Sequence, residues 1–233
     1  SSNRRQRQMC IRDRRLQRSE ENLKSWIKYR SDIWRYDGAE EPLRRMANTN
    51  SNLYAYRFDW DEQNNSSFAG NYQLFVGAAH GLEIPFLTGD FDLGPITFYI
   101  KPFMFPDDSD ESRLALSDLM MAYWANIAKY GNPNEFVKGP KWEKFTQENN
   151  QLLILDNPTA NLVEMRTIPV SKDDLLSQIE ADSALEIKER CLIGWIAARN
   201  FQEDARPQPP FNFCSNFTEE DLYKLRNLTE GRD

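Results

Sequence analysis

The sequence predicts a fold that mixes helices and strands, and three observations carry that reading. Leu116, Met120, Trp124 and Ile127 recur at helical spacing in the clearest amphipathic stretch of the chain. The run Leu53-Tyr54-Ala55-Tyr56-Arg57-Phe58-Asp59-Trp60 is rich in aromatics and bounded by polar residues, which marks a buried strand. Two further short runs, Gln151–Leu155 and Leu162–Ile168, flank the turn residues Asp156-Asn157-Pro158 and read as two more strands.

The elements follow in order. Glu20 to Met46 has helical character, with Leu23, Trp26, Ile27 and then Ile33 and Trp34 at roughly helical spacing and a break expected at Asp37-Gly38. The strand over 53–60 comes next, then a polar loop from Asp61 to Gly70. Phe75 and Val76 close a segment that reads as a strand and leads into a glycine-flanked loop. Residues 90–110 combine prolines, aromatics and the acids Asp107, Asp108, Asp110 and Glu111, and are expected to be irregular surface. The long helix, read from Leu116, ends at Gly131 and Pro133, a glycine stop followed by a residue that cannot continue a helix. A last long helix is expected from Asp182 to about Asn200, with Ile187, Cys191, Trp195 and Ala198 on one face. After Pro207, Pro209 and Pro210 a short helix over Thr218–Arg226 is expected, opened by Thr218 and Asp221 as a capping box with an acid in the place of Glu or Gln.

Composition narrows the function classes. A hydrophobic content of 40% is enough to build a core, and 233 residues allow one or two domains. No apolar run approaches the ~18 residues that a membrane span needs. The net charge of −7 is uneven: residues 1–18 hold seven arginines against Asp13 alone, so the remainder is strongly acidic. Such an arm can bind phosphate backbones, but it lacks apolar periodicity, interleaved aromatics and a docking element, so no nucleic-acid partner is expected. The string Arg-Gln-Met-Cys-Ile-Arg-Asp-Arg over residues 7–14 resembles translated adapter read-through. Residues 1–18 are therefore expected to be a non-native or disordered leader. Cys191 and Cys214 lie 23 positions apart with no Cys-x-x-Cys and no second histidine nearby, too few ligands for a metal site. They can pair in an oxidising compartment or remain free thiols. Asn64, Asn65, Asn216 and Asn227 each open an Asn-x-Ser/Thr glycosylation pattern.

The single histidine, His80, is the leading candidate for chemistry. It sits in Gly77-Ala78-Ala79-His80-Gly81-Leu82-Glu83-Ile84-Pro85-Phe86. Imidazole is the side chain whose unperturbed pKa lies near neutrality, which suits a general base.

This loop, the strand over Tyr54–Trp60, the Tyr123-Trp124 helix running to Gly131-Asn132-Pro133, and Trp142 with Phe145 ahead of Leu153–Asp156 together resemble the type B carboxylesterases of the carboxylesterase–cholinesterase family. The resemblance runs from about Tyr29 to Phe201. It implies the C-terminal part of an α/β-hydrolase over 19–233: a late central-sheet strand, the catalytic-histidine loop, a long helix, two terminal strands and a C-terminal helix. It also implies a Ser–Glu/Asp–His triad in the order nucleophile, acid, histidine. His80 matches the histidine, and the activity implied is carboxylic ester hydrolysis through an acyl-enzyme, with a small ester as substrate and no cofactor. Glu83 is expected to be a supporting carboxylate near the site, and Leu82 to line an apolar acyl or alcohol pocket.

The sequence departs from the family pattern in one large respect. It contains no Gly-x-Ser-x-Gly elbow and no glycine-rich oxyanion segment before His80. The expectation is a C-terminal fragment whose nucleophile, oxyanion hole and triad acid lie upstream, inactive and poorly stable by itself. A non-catalytic adhesion or interaction protein of cholinesterase-like fold is the alternative. The resemblance favours an extracytoplasmic or secreted setting.

Overall fold

The structure is a computed structural model and describes residues 20–63, 73, 76–167, 172–200 and 211–230. The Arg-rich residues 1–18, for which a leader was expected, and the sequons at Asn64 and Asn65 lie outside these residues. The chain divides into two compact units, one of residues 43–168 and one joining 1–42 to 169–233.

The unit of residues 43–168 is built on a three-stranded sheet. Strand β1 (Tyr56–Phe58) pairs in parallel with β2 (Gln151–Leu155), which pairs antiparallel with β3 (Glu164–Thr167), in the order β1-β2-β3. Tyr56 lies opposite Leu153, and Leu153 opposite Met165. The regular strand β1 is shorter than the 53–60 expected. Ladder-like bonds nonetheless run further: Phe145 N–H donates to the Leu53 carbonyl at 2.8 Å, Leu153 N–H to Ala55 at 2.9 Å, and Asp59 N–H to Leu155 at 2.9 Å.

Strand β2 is buried on both faces, as a central strand of a layered α/β sheet is. Its period-2 alternation sends Leu153 and Leu155 into an aromatic core with Trp60, Phe86, Phe105, Met120, Tyr123 and Trp142. Leu152 and Ile154 go into a second core with Leu53, Ala55 and Phe145, covered by Leu43 and Ala47 of α2 (Glu41–Ala47). Helices α3 (Glu83–Thr88), α4 (Thr97–Met104) and α5 (Asp110–Tyr130) complete this unit.

Helix α5 begins six residues before Leu116 and stops where the sequence says it should. Gly131 takes φ 65° and donates its N–H to the Ile127 carbonyl at 2.9 Å, a left-handed stop that glycine adopts without a Cβ clash. Leu116 and Met120 are fully buried. Arg113 is buried too. Its charge is met by the Asp110 carboxylate, and its guanidinium lies 4.2 Å from the centre of the Phe91 ring. Residues 90–110 correct the expectation of irregular surface: they hold a 3₁₀ turn (Gly94–Ile96), α4, and a second 3₁₀ turn (Asp107–Ser109). Pro102 sits inside α4, where it costs the helix one backbone hydrogen bond.

The regular elements described in the other unit are all helices, joined by turns. Helix α1 covers residues 20–35 and does not break at Asp37-Gly38; it continues through a π-helical turn, Tyr36–Glu40, into α2. Helices α6 (Lys172–Ala181), α7 (Ile187–Asn200) and α8 (Glu219–Glu230) complete it. The single helix expected from Asp182 therefore starts later, and α6 precedes it. Residues 182–186 form a turn whose Glu186 N–H is met by the Glu189 carboxylate at 2.7 Å. Ile187, expected on the buried face, is 53% exposed, because it occupies the first turn outside the packed part of α7. Cys191, Trp195 and Ala198 are buried as expected.

Cys191 and Cys214 form a disulfide with Cα atoms 5.6 Å apart, which settles what their spacing left open. The capping box at α8 is present: Thr218 N–H donates to Asp221 Oδ2 at 2.9 Å, and Asp221 N–H to Thr218 Oγ1 at 3.2 Å. Across this unit Tyr29 Oη lies 2.9 Å from Asp182 Oδ2 and 3.1 Å from the Gln178 carbonyl. No helix among the described residues is long and apolar enough to cross a membrane.

Candidate active site

The loop carrying His80 hangs from the exit of β1. After Phe58 the chain runs through Asp59, Trp60, Asp61, Glu62 and Gln63, and two side-chain contacts tie this segment to the approach to the histidine. The Gln63 amide Nε2 donates to the Gly77 carbonyl at 3.0 Å, and Gln73 hydrogen-bonds the Asp61 carboxylate. Gln63 is buried. Gly77 has φ 50°, and a Cβ there would lie 3.3 Å from the Gln73 carbonyl, so the turn needs glycine. The strand expected just before the loop falls mostly outside the described residues, and the one described residue within 71–75, Gln73, is helical, not extended.

The loop then closes into a compact turn. Leu82 N–H donates to the Ala79 carbonyl at 3.1 Å and Ile84 N–H to Gly81 at 3.3 Å. Gly81, at φ 90°, is in a region open to glycine and costly for other residues. Its N–H donates to Glu83 Oε2 at 2.8 Å. Glu83 thus braces the turn from the first residue of α3, where its charge also suits the helix N-terminus. Leu82 is half-buried and packs against the aromatic core. His80 is exposed at the tip.

Helix α3 fixes this turn to the body of the unit. Phe86 is fully buried between Phe58, Trp60, Phe91 and Phe105, with ring centroids 5.0–6.3 Å apart. Its carbonyl accepts a hydrogen bond from the buried Ser117 hydroxyl of α5 at 2.8 Å. Met121 Sδ stands 3.2 Å from where a Cβ on Gly89 would be.

Around the carboxyl ends of β1 and β2 lies a group of acids. Asp61 titrates above its ordinary value because burial disfavours its charge, with Asp59 and Glu62 adding repulsion against the opposing Gln73 hydrogen bond. Asp156 is raised for the same first reason, with repulsion from Asp61, Asp59 and Glu62. Glu62 is tied down: it accepts from the Ser112 hydroxyl and the Asn157 amide, and Ser112 Oγ accepts from Trp60 Nε1 at 3.3 Å. Burial also pushes the Tyr56 phenol up, and the nearby Glu83 carboxylate adds to it. Among the described residues no group of three or more His, Cys, Asp or Glu side chains has the arrangement to hold a metal ion.

Sequence reasoning singled out His80, Glu83 and Leu82 as candidates and did not register Gln63 and Gln73, which the fold brings to this loop. Both glutamines lie in polar stretches with no periodicity, and nothing but the fold brings Gln63 to Gly77.

The His80 loop is anchored through Gln63 to the segment leaving the carboxyl end of β1, the end of a parallel strand at which α/β folds bind ligands. The carboxylesterase family matches residues 2–172 of this chain. The chain belongs to the carboxylesterase family. Its sheet, helices and loop are accordingly a part of an α/β-hydrolase. This carboxylesterase-family chain is 32% identical over 103 residues to an acetylcholinesterase of Gallus gallus, covering 44% of the chain and 11% of that protein. It is 31% identical over 140 residues to a bile salt-activated lipase of Homo sapiens, 58% of the chain and 16% of that protein. A carboxylesterase 3 of Homo sapiens is 32% identical over 118 residues, 50% of the chain and 19% of that protein. The chain thus spans less than a fifth of the length of these relatives.

Proposed function

We propose that this chain supplies the histidine of a serine-type carboxylic ester hydrolase, with His80 as the general base. The observation that carries the proposal is the braced, exposed His80 turn inside the region matched by the carboxylesterase family. In this reading His80 takes the proton of a serine hydroxyl as that oxygen attacks the ester carbonyl. It passes the proton to the departing alcohol, then takes one from the water that cleaves the acyl-enzyme. Residues 19–233 are the C-terminal portion of the hydrolase domain. The serine and the triad acid come from sequence outside these 233 residues, which contain no Gly-x-Ser-x-Gly. The 233-residue chain by itself is therefore inactive. Glu83 acts through the loop, holding the Gly81 N–H, and the exposed side of Leu82 faces the acyl or alcohol group of a small ester.

The test is His80→Gln in the full-length protein, assayed on a short-chain aryl ester. The expected result is a fall in kcat of at least about 10³-fold with the thermal unfolding curve unchanged. Turnover within a few fold of the parent overturns the assignment of His80, and turnover by the isolated 233-residue chain overturns the placement of the nucleophile. A residue other than serine at the nucleophile position of the full-length sequence would instead point to a non-catalytic adhesion protein of the same fold.

A further inference from the structure

The segment that follows Cys214 combines two features that belong to one cellular compartment. The first is the disulfide from Cys214 to Cys191 in α7. Such cross-links persist where the environment is oxidising, as in the secretory pathway. The second is the acceptor pattern Asn216-Phe217-Thr218, which begins two residues after Cys214.

The fold sorts the acceptor patterns it describes. Cys214 is fully buried and Phe217 packs partly buried against the helical core, with the Phe217 N–H donating to the Cys214 carbonyl at 2.9 Å. The turn between these anchors turns Asn216 out, and the residue is exposed outside any helix. Asn227, by contrast, is half-buried within α8. Thr218, whose hydroxyl completes the pattern, is exposed but committed in the folded chain: Oγ1 lies 2.6 Å from Asp221 Oδ2 and accepts from Asp221 N–H at 3.2 Å.

We propose that Asn216 is an N-glycosylation site, modified before α8 closes onto Thr218. The co-reactant is a lipid pyrophosphate-linked oligosaccharide. The Asn216 amide nitrogen attacks the anomeric carbon of its first sugar, forming the C–N bond. The C–O bond to the pyrophosphate breaks, the lipid pyrophosphate leaves with the electron pair, and the amide proton passes to a base of the transferase. Nothing is oxidised or reduced. The order of events follows from Thr218. Its hydroxyl cannot serve the acceptor pattern and the cap of α8 together, so transfer comes first and capping second. The finished glycan stands on the exposed turn beside the disulfide without displacing a core side chain.

The experiment is glycopeptide mapping of the full-length protein from its own source cells, before and after peptide N-glycosidase, followed by variants expressed through a eukaryotic secretory pathway. The expected result is a glycan on the Asn216 peptide, with Asn216 read as Asp after release, and its loss in Asn216→Gln and in Thr218→Val. Thr218→Ser keeps the glycan. Asp221→Ala removes the cap and not the acceptor pattern, so it keeps the glycan at parental occupancy or above, which separates loss of the site from loss of the fold. An unmodified Asn216 peptide in protein that carries the Cys191–Cys214 disulfide overturns the proposal. So does a glycan that survives Thr218→Val, or one that is lost in Asp221→Ala.

Discussion

The two compact units hold their cores by different means. The helical unit wraps Tyr29, Ile33, Leu175, Ile179, Trp195 and Leu222 into one core and ties α7 to the segment before α8 with a covalent bond. The sheet unit has no cross-link among its described residues. It relies on an aromatic core packed from one face of β2 and a smaller one from the other. Its strand β1 is paired on one side only among the described residues, and it exposes large apolar side chains: Ile84 is 57%, Phe98 83% and Phe136 92% exposed. The helical unit exposes Trp34 and Ile187 as well, so what sets the sheet unit apart is the open edge of β1, the kind of edge a further strand covers.

The contrast can be broken most strongly at Phe86. Replacing Phe86 by Ala removes the ring at the centre of the aromatic core and is expected to cost about 3–5 kcal/mol. Hydrogen exchange should then lose protection in β2 and α5 while α7 keeps its own. Next in size is Cys191→Ser with Cys214→Ser, which frees a loop of 23 residues and is expected to cost about 3 kcal/mol. Here the loss of protection should fall on α7 and α8 and spare β2. Equal loss in both units under either change would show that the two cores unfold as one.

The smallest effect is a difference in pH response. Asp61 and Asp156 titrate above their ordinary 3.8 in the folded chain, mainly through burial. Their protonated forms favour folding, a contribution fully present below pH 3.8 and lost as the pH rises through their folded values. Asp182 moves the other way. Burial opposes its charge, but hydrogen bonds from Ser25, the Ala184 N–H and Tyr29 outweigh it and hold the group below 3.8. Its contribution is present above pH 3.8 and lost as the pH falls through the folded value. Acidifying from pH 7 toward 4 should therefore raise protection in the sheet unit while leaving the helical unit level. Below 3.8 the helical unit should weaken. A sheet unit that weakens between pH 7 and 4 would contradict this assignment.

The legibility of each region follows the same physics. Strand β2 was readable to the residue because five apolar-rich positions are bounded by an Asp-Asn-Pro turn. The end of α5 was readable because Gly131 and Pro133 are local stop signals. Helix α4 was not, since Pro95, Pro102 and Pro106 signal irregular chain, and the helix forms with none of its own residues buried. Helix α6 was missed because it buries little more than Leu175 and Ile179, too short an apolar pattern to register. At the candidate site His80 stood out by chemistry alone, as the one imidazole. Of the groups that brace the turn, Glu83 lies in the loop's own sequence, whereas Gln63 did not stand out, because it reaches Gly77 across 14 positions of polar sequence. The pairing of Cys191 with Cys214 needed the fold, which brings one end of α7 against the 3₁₀ turn Asn212–Cys214.

The hydrogen bond from Ser117 to the Phe86 carbonyl makes α3 and α5 one mechanical piece. With six residues, α3 is too short to be stable alone and takes its position from the long helix beneath it. A shift of α5 along its axis would carry the turn at residues 79–82 with it. The 21-residue α5 thus anchors, through Ser117, the short helix that begins three residues after His80.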